Sequence, residues 1–373
     1  MLPLSELTPW LRVSLTPHLG PVTFHALKAT FGSMAAILAA SPKDLAPFIS
    51  TDQRQKIAHG LAHGASDAAV QAALDWLSAA PQRAILTLAD ARYPQALAHD
   101  PMPSPTLFAE GDLASLAPPA IALVGSRQPT PQGRDNAHRF AKALAALEFT
   151  VVSGFAAGID TAAHQGALAA NGRTIAVLGT GIDRVYPAHN RTLVEPVRAR
   201  GLLLSEYPLG TAPLPGNFPR RNRLIASLSL ATLVVEARRH SGSLITARLA
   251  AELNREVMAI PGTLHNPQAQ GCHQLLKQGA TLVENVADIL AELPLYIQPS
   301  PPSTNPSPTQ PALPLLSTQA QACLDAMGFD PIHPDGLTQK LGIPAADVYA
   351  QLLQLELSGI VHPLAGGRFQ RLS

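Results

Sequence analysis

The sequence predicts an α/β protein built on a doubly wound parallel sheet, preceded by a helical domain and followed by a winged helix. Three observations carry this. Seven short aliphatic runs between Ile121 and Asn285 alternate with helix-length segments, and each ends in glycine or a polar turn. That is the pattern of buried parallel strands in βαβ units. The chain before them reads as short helices, and the chain after them as three helices and a Gly-centred hairpin.

From Ser5 to about Leu77, Phe24, Leu27 and Phe31, then Met34, Ile37 and Leu38, repeat at helical spacing across a Gly32-Ser33 break. Residues 1–80 are assigned to this helical domain. Arg83 to Leu116 reads as a connector with mixed extended signals, interrupted by Pro94, Pro101, Pro103 and Pro105. The strand runs then follow as IALVG from Ile121, TVVSG from Thr150, TIAVLG from Thr174, LLLSE from Leu202, ATLVVEA from Ala231, EVMAIPG from Glu256 and TLVEN from Thr281. With the connector they form a domain over 81–298. The Pro/Ser/Thr-rich stretch 299–314 reads as an extended linker. In 315–373, helical segments at Thr318–Met327, Gly336–Leu341 and Ala345–Leu357 precede extended residues on either side of Gly366-Gly367, the order of a winged helix.

Composition narrows the function classes. Among 373 residues, 46% are hydrophobic and 14% charged, which suits a sizeable core and not a disordered chain. Lys and Arg total 27 against 26 Asp and Glu, so a polyanion must be held by clustered cations and not by global charge. Pro3, Pro9 and Pro17 break up the first residues, and no run reaches the ~18 apolar residues of a membrane span. Cys272 and Cys323 are far apart, consistent with a reduced cytoplasm.

In an open parallel sheet, ligands bind beyond the carboxyl ends of the strands. The loops at those ends share one inventory. Gly125-Ser126-Arg127 follows the first run, Ser153-Gly154 the second, Arg220-Arg221-Asn222-Arg223 the fourth, and Arg238-Arg239-His240-Ser241-Gly242-Ser243 the fifth. Helix N-termini offer unpaired N–H groups and a positive dipole end, and arginine adds a planar fork. Any one such turn is common. Several along one sheet edge suit a chain of phosphates better than a single phosphate.

Competing chemistries fit less well. The sheet is Rossmann-like, but seven residues lie between Gly125 and Gly133 and there is no G-x-G-x-x-G fingerprint; after Gly179-Thr180-Gly181, residue 184 is Arg. Hence no nucleotide cofactor is expected, and the lack of a Walker A run argues against a motor ATPase. Asp160, His164, Glu206 and Glu236 could compose a hydrolase site. They read instead as groups that orient the arginines and cap backbone N–H groups, and the protein is expected not to be an enzyme. His59 and His63 are at i,i+4 with no third ligand nearby, so they read as surface histidines and no metal is expected.

Taken together, the stretches VGSR at Val124, SGFAAGIDTAAH at Ser153, TIAVLGTGIDRVYPAHN at Thr174, SEYPLGT at Ser205, NFPRRNRLIA at Asn217, VVEARRHSGSLITA at Val234 and AIPG at Ala259 closely resemble the DprA (Smf) DNA-processing family. The resemblance runs from Ile121 to about Leu290, with YPQAL at Tyr93 and SPTLFAEGDL at Ser104 as outliers. It implies a homodimeric recombination mediator of natural transformation. Such a protein binds incoming single-stranded DNA, shields it, and loads the RecA recombinase past single-strand-binding protein. It also implies a SAM-like N-terminal domain. DNA contact then falls on Ser126, Arg127, Ser153, Gly154, Arg221, Asn222, Arg223, Ser241, Gly242 and Ser243, and dimer contact on Leu275 to Val283.

Two positions depart from the family pattern: Ala157 replaces a larger, often basic residue, and His273 an asparagine. The strongest rival on the same fold, a phosphoribohydrolase-like nucleotide-processing enzyme, would need a P-G-G-x-G-T-x-x-E run, whereas Pro261-Gly262 leads into Thr263-Leu264-His265. A winged-helix regulator of duplex DNA would need a basic recognition helix, and Ala345–Leu357 has no Lys or Arg. With aromatics at 5%, base stacking is expected to be minor and phosphate contact dominant.

Overall fold

The computed structural model describes residues 2–49, 56–57, 60–61, 67–293 and 316–372. The linker at 299–314, its flanking boundaries, and His59 and His63 lie outside the described residues. A nine-stranded sheet organises the centre of the molecule. Its strands are β1 (Arg83–Thr87), β2 (Thr106–Gly111), β3 (Ala120–Val124), β4 (Thr150–Ser153), β5 (Thr174–Val177), β6 (Leu202–Ser205), β7 (Ala231–Val234), β8 (Glu256–Ala259) and β9 (Thr281–Leu282), in the spatial order β1-β2-β6-β5-β4-β3-β7-β8-β9.

Seven strands, β3 to β9, are the aliphatic runs of the sequence, and they pair in parallel. The connector is more ordered than expected: RAILT and TLFAEG form β1 and β2, and β2 joins β6 antiparallel. The prolines that hid these strands all fall between them. Both are buried along most of their length, as two-sided coverage requires.

The Pro131–Ala146, Ile159–Ala169 and Val286–Ala291 helices cover one face of the sheet; the Asn217–Leu228, Ser243–Glu252 and Gln270–Lys277 helices cover the other. Chain order reverses beside β3, with β4 on one side and β7 on the other. That is the topological switch point, where strand-end loops splay apart and open a crevice.

Before the sheet come the Leu4–Ser14, Pro21–Phe31, Met34–Ala39, Pro42–Leu45 and Asp67–Ser78 helices. Gly32, at φ 75°, terminates the second, and the Ser33 hydroxyl caps the third by accepting the Ala36 N–H. This is the break read from Gly32-Ser33. Leu7, Leu11 and Trp76 pack on Phe108, so the helices share a core with the sheet. The C-terminal helices Thr318–Met327, Pro334–Leu341 and Ala345–Leu357 lead to β10 (Val361–Leu364) and β11 (Arg368–Arg371), an antiparallel pair turned by Gly366 and Gly367 at φ 80° and 69°. Three helices and a hairpin make a winged helix. No helix among the described residues is long and apolar enough to cross a membrane. Cys272 and Cys323 are both buried and free.

Candidate functional site

A crevice of about 510 Å³ opens at the switch point. Arg127 enters from the turn after β3, Asp160 from the helix after β4, Arg221 and Asn222 from the helix after β6, and Ser241 to Ser243 from the turn after β7. Six of the ten residues expected in the site, Arg127, Arg221, Asn222, Ser241, Gly242 and Ser243, therefore line one groove.

Close backbone packing builds that groove. A Cβ on Gly125 would lie 2.8 Å from the Glu236 carbonyl oxygen, and one on Gly158, at φ 83°, 2.4 Å from that of Ser126. These two positions need glycine so that the β3, β4 and β7 turns can touch. Glu236 fastens the entry of the Pro131–Ala146 helix, accepting the Thr130 N–H at 2.9 Å and the Thr130 hydroxyl at 2.5 Å. Burial raises its carboxyl, and the Thr130 bonds pull it back down.

Arg221 is buried beneath the groove floor. Its Nη1 donates to the carbonyls of Gly154 and Val177, and its Nε to Asn222 Oδ1 at 3.2 Å. Burial pushes this guanidinium down to about 10, so it stays charged at neutral pH. Asp160 is equally buried and its carboxyl is raised by burial, against the opposing pull of Arg221 and the Ala156 and Gly154 amides. Among the described residues no carboxylate comes within ion-pair distance of Arg221, Arg127 or Arg220. Arg221 is thus a buried cation held by carbonyl dipoles, with Asp160 beyond ion-pair distance as the charge that favours it.

Four expected contact residues lie elsewhere. Ser153 is fully buried and its hydroxyl donates to the Leu123 carbonyl at 2.6 Å, tying β4 to β3. Gly154 gives its N–H to Asp160 and its carbonyl to Arg221, so its polar groups are spent inside the fold. Arg223 faces away from the groove and pairs with Asp100 at 3.1 Å and Glu206 at 2.9 Å. The helical period explains this: Arg221 and Asn222 face the groove while Arg220 and Arg223 face the opposite flank. Ser126 uses its hydroxyl to accept the Gln128 N–H at 3.1 Å and does not line the groove, although its neighbours Gly125 and Arg127 do.

The strand-end carboxylates orient and cap, as the sequence suggested. Glu206 holds Arg223 and Ser104, Glu236 holds Thr130, and Asp160 accepts the Gly154 and Ala156 amides at 3.1 and 3.2 Å. His164 is sealed in the core. Its Nδ1 lies 2.7 Å from the Thr174 hydroxyl, which itself donates to the Val151 carbonyl, so Nδ1 carries the proton. Burial drives this imidazole down to about 3. Among the described residues, no group of three or more His, Cys, Asp or Glu is placed to hold a metal ion.

Two of the few aromatics in these loops form a pair that the sequence did not indicate. The Tyr186 and Phe218 rings sit 5.5 Å apart at 41°, both line the groove, and the Arg127 guanidinium lies 5.3 Å over Phe218. The low aromatic count hid that the few rings present converge. Of the expected dimer segment, Leu275 and Val283 are buried within the chain, while Leu282 on the edge strand β9 is half exposed. His273 places Nε2 2.8 Å from the Gly262 carbonyl.

The fold and site thus define a Rossmann-like α/β protein with an arginine-lined, Ser/Gly-edged groove and an appended winged helix. Residues 84–294 match the family model for DNA recombination-mediator protein A, and 306–367 match that for the DprA winged helix domain. The chain belongs to the DprA (Smf) family. It is 40% identical to protein Smf of Escherichia coli over 304 residues, covering 80% of each chain, and 46% identical to DNA processing protein DprA of Streptococcus pneumoniae over 186 residues, covering 50% of this chain and 66% of that one. The crystal structure of the Streptococcus pneumoniae DprA superposes with a TM-score of 0.68 at 33% identity, covering 76% of this chain and 97% of that one. A Helicobacter pylori DprA structure, described as giving insight into a single-stranded DNA binding mode, superposes with a TM-score of 0.53 at 30% identity over 58% of this chain and 98% of that one.

Proposed function

We propose that this protein binds single-stranded DNA in the switch-point groove, through phosphates, as a non-enzymatic mediator of recombination. The observation that carries the reading is the convergence of Arg127 and Arg221, both without a carboxylate partner among the described residues, on the Ser241–Ser243 turn. The DNA-binding mode described for the Helicobacter pylori relative supports it.

The proposed contacts are Arg127, Arg221, Asn222 and the Ser241-Gly242-Ser243 turn, with Ser126 next to Arg127. Ser153, Gly154 and Arg223 position them. Tyr186 and Phe218 offer ring faces to the bases, so stacking adds ~1–3 kcal/mol per base it engages. A chain that reads phosphates and π-faces has little sequence preference.

Family membership extends the proposal to homodimerisation, to loading of RecA onto strands coated with single-strand-binding protein, and to natural transformation in the cytoplasm. A RecA-loading assay on such strands tests this, with stimulated strand exchange expected. Competition between single-stranded and duplex DNA, run beside a nucleotide-release assay, separates the rivals. Release of base from a nucleoside monophosphate would favour the phosphoribohydrolase-like enzyme.

A further inference from the structure

A second cleft, of about 690 Å³, lies on the other side of the Asn217–Leu228 helix, between the N-terminal helices and the sheet. The two clefts share Pro219, and consecutive residues divide between them: Arg221 and Asn222 line the groove, Arg220 and Arg223 the second cleft. The first turn of this helix is thus a ridge with a cationic residue on each flank.

The flanks differ in pairing. Arg223 is paired with both Asp100 and Glu206, whereas Arg220 is exposed and has no ion pair among the described residues. Behind Arg220 the cleft is lined by the partly exposed Leu15 and Met102 over the buried Phe24 and Phe108, with Glu206, Tyr207 and the exposed His18 also lining it. The Tyr207 hydroxyl donates to the Asn217 carbonyl at 2.9 Å, fixing its ring against the ridge. One free cation at the rim of an apolar, aromatic-edged cleft matches a nucleotide, with phosphate on the arginine and base against the wall.

We infer that a single strand leaving the switch-point groove crosses the ridge at Pro219 and lodges its next nucleotides in this second cleft. The N-terminal helices then form one wall of the DNA path. This rests on the single-stranded-DNA reading of the groove, and it commits to the same strand as occupant because Pro219 lines both clefts and Arg220 and Arg221 are consecutive.

The test uses the full chain and two oligo-dT lengths, about six nucleotides to fill the groove and about twenty to reach beyond it. Arg220→Ala removes the rim cation. His18→Asp places a carboxylate at the mouth at φ 66°, a conformation Asp tolerates. Both variants are expected to melt like the parent and to bind the short oligomer within about twofold, but the long one about three- to tenfold more weakly. Unchanged affinity for the long oligomer in both variants, as for a cleft that takes a protein segment, would overturn the inference, as would equal losses at both lengths. If the parent binds neither oligomer, the groove reading fails and this inference with it.

Discussion

Asp160 takes the backbone N–H of Gly154 at 3.1 Å, closing from within the very turn that was expected to face phosphate. The same oxygen accepts the Ala156 N–H at 3.2 Å, and the Arg221 guanidinium takes the Gly154 carbonyl. The turn after β4 is therefore a seat for Arg221. A Cβ at Gly154 would lie 2.7 Å from Arg221 Nη2 and 2.8 Å from Asp160 Oδ2.

Gly154→Ala should therefore dislodge Arg221. Oligo-dT affinity is expected to fall by about 1–3 kcal/mol, the worth of a hydrogen bond to a charged group, with a lowered melting temperature. Fluorescence anisotropy beside a thermal melt checks both; parent-like affinity would mean that Arg221 does not hold the strand.

Arg127 is held by stacking on Phe218 and by no ion pair among the described residues. Arg127→Ala should weaken binding to all sequences alike by about 1–3 kcal/mol and leave the melting temperature within a degree or so of the parent's. A loss confined to one base composition would point to base readout instead.

Arg223 should behave in the opposite way. Its removal strands Asp100, whose side chain is 1% exposed, and Glu206. Arg223→Ala is expected to cost about 3 kcal/mol of stability, as breaking a buried pair does. The salt dependence of DNA binding should keep its slope, because no phosphate contact is lost. Denaturant titration and a salt series distinguish these effects, and a reduced slope would return Arg223 to the contact set.

His164 supplies a pH dependence. Its folded-state value, near 3, lies below the ordinary 6.5, so the unfolded chain binds the proton first as pH falls. Its contribution is complete above about pH 6.5 and is lost progressively toward pH 3. Asp160 and Glu236, raised by burial, act in the opposite sense at the acid end. The His164 ring proton resonances should show no titration between about pH 5 and 8. A midpoint near the ordinary histidine value would contradict the buried, Thr174-bound imidazole.

What was legible in the sequence follows physical range. Strands β3 to β7 are continuous aliphatic runs because both faces are buried, and the winged helix shows its own periodicity and glycine turn. β1 and β2 were obscured because four prolines punctuate what lies between them and no helix-length βα alternation marks them. At the site, residue type was readable but direction was not. Arg221 and Arg223 look alike in the FPRRNR run, yet two residues along a helix turn them to opposite flanks. Ser153 and Gly154 look like a phosphate turn until Leu123, Asp160 and Arg221 are seen to use their polar groups, partners brought close by the fold. The Tyr186–Phe218 pair joins residues 32 apart in the chain, a distance no local pattern spans.

The most direct measurement is the affinity for oligo-dT as a function of salt between about 50 and 200 mM. With Arg127, Arg221 and Arg220 each neutralising a phosphate, log K should fall linearly with log salt at a slope of about −2, at ~0.7 per single-strand phosphate, and Arg127→Ala should make it shallower by about 0.7. An affinity that scarcely changes over that range, or a slope that Arg127→Ala leaves untouched, would contradict a phosphate-holding groove.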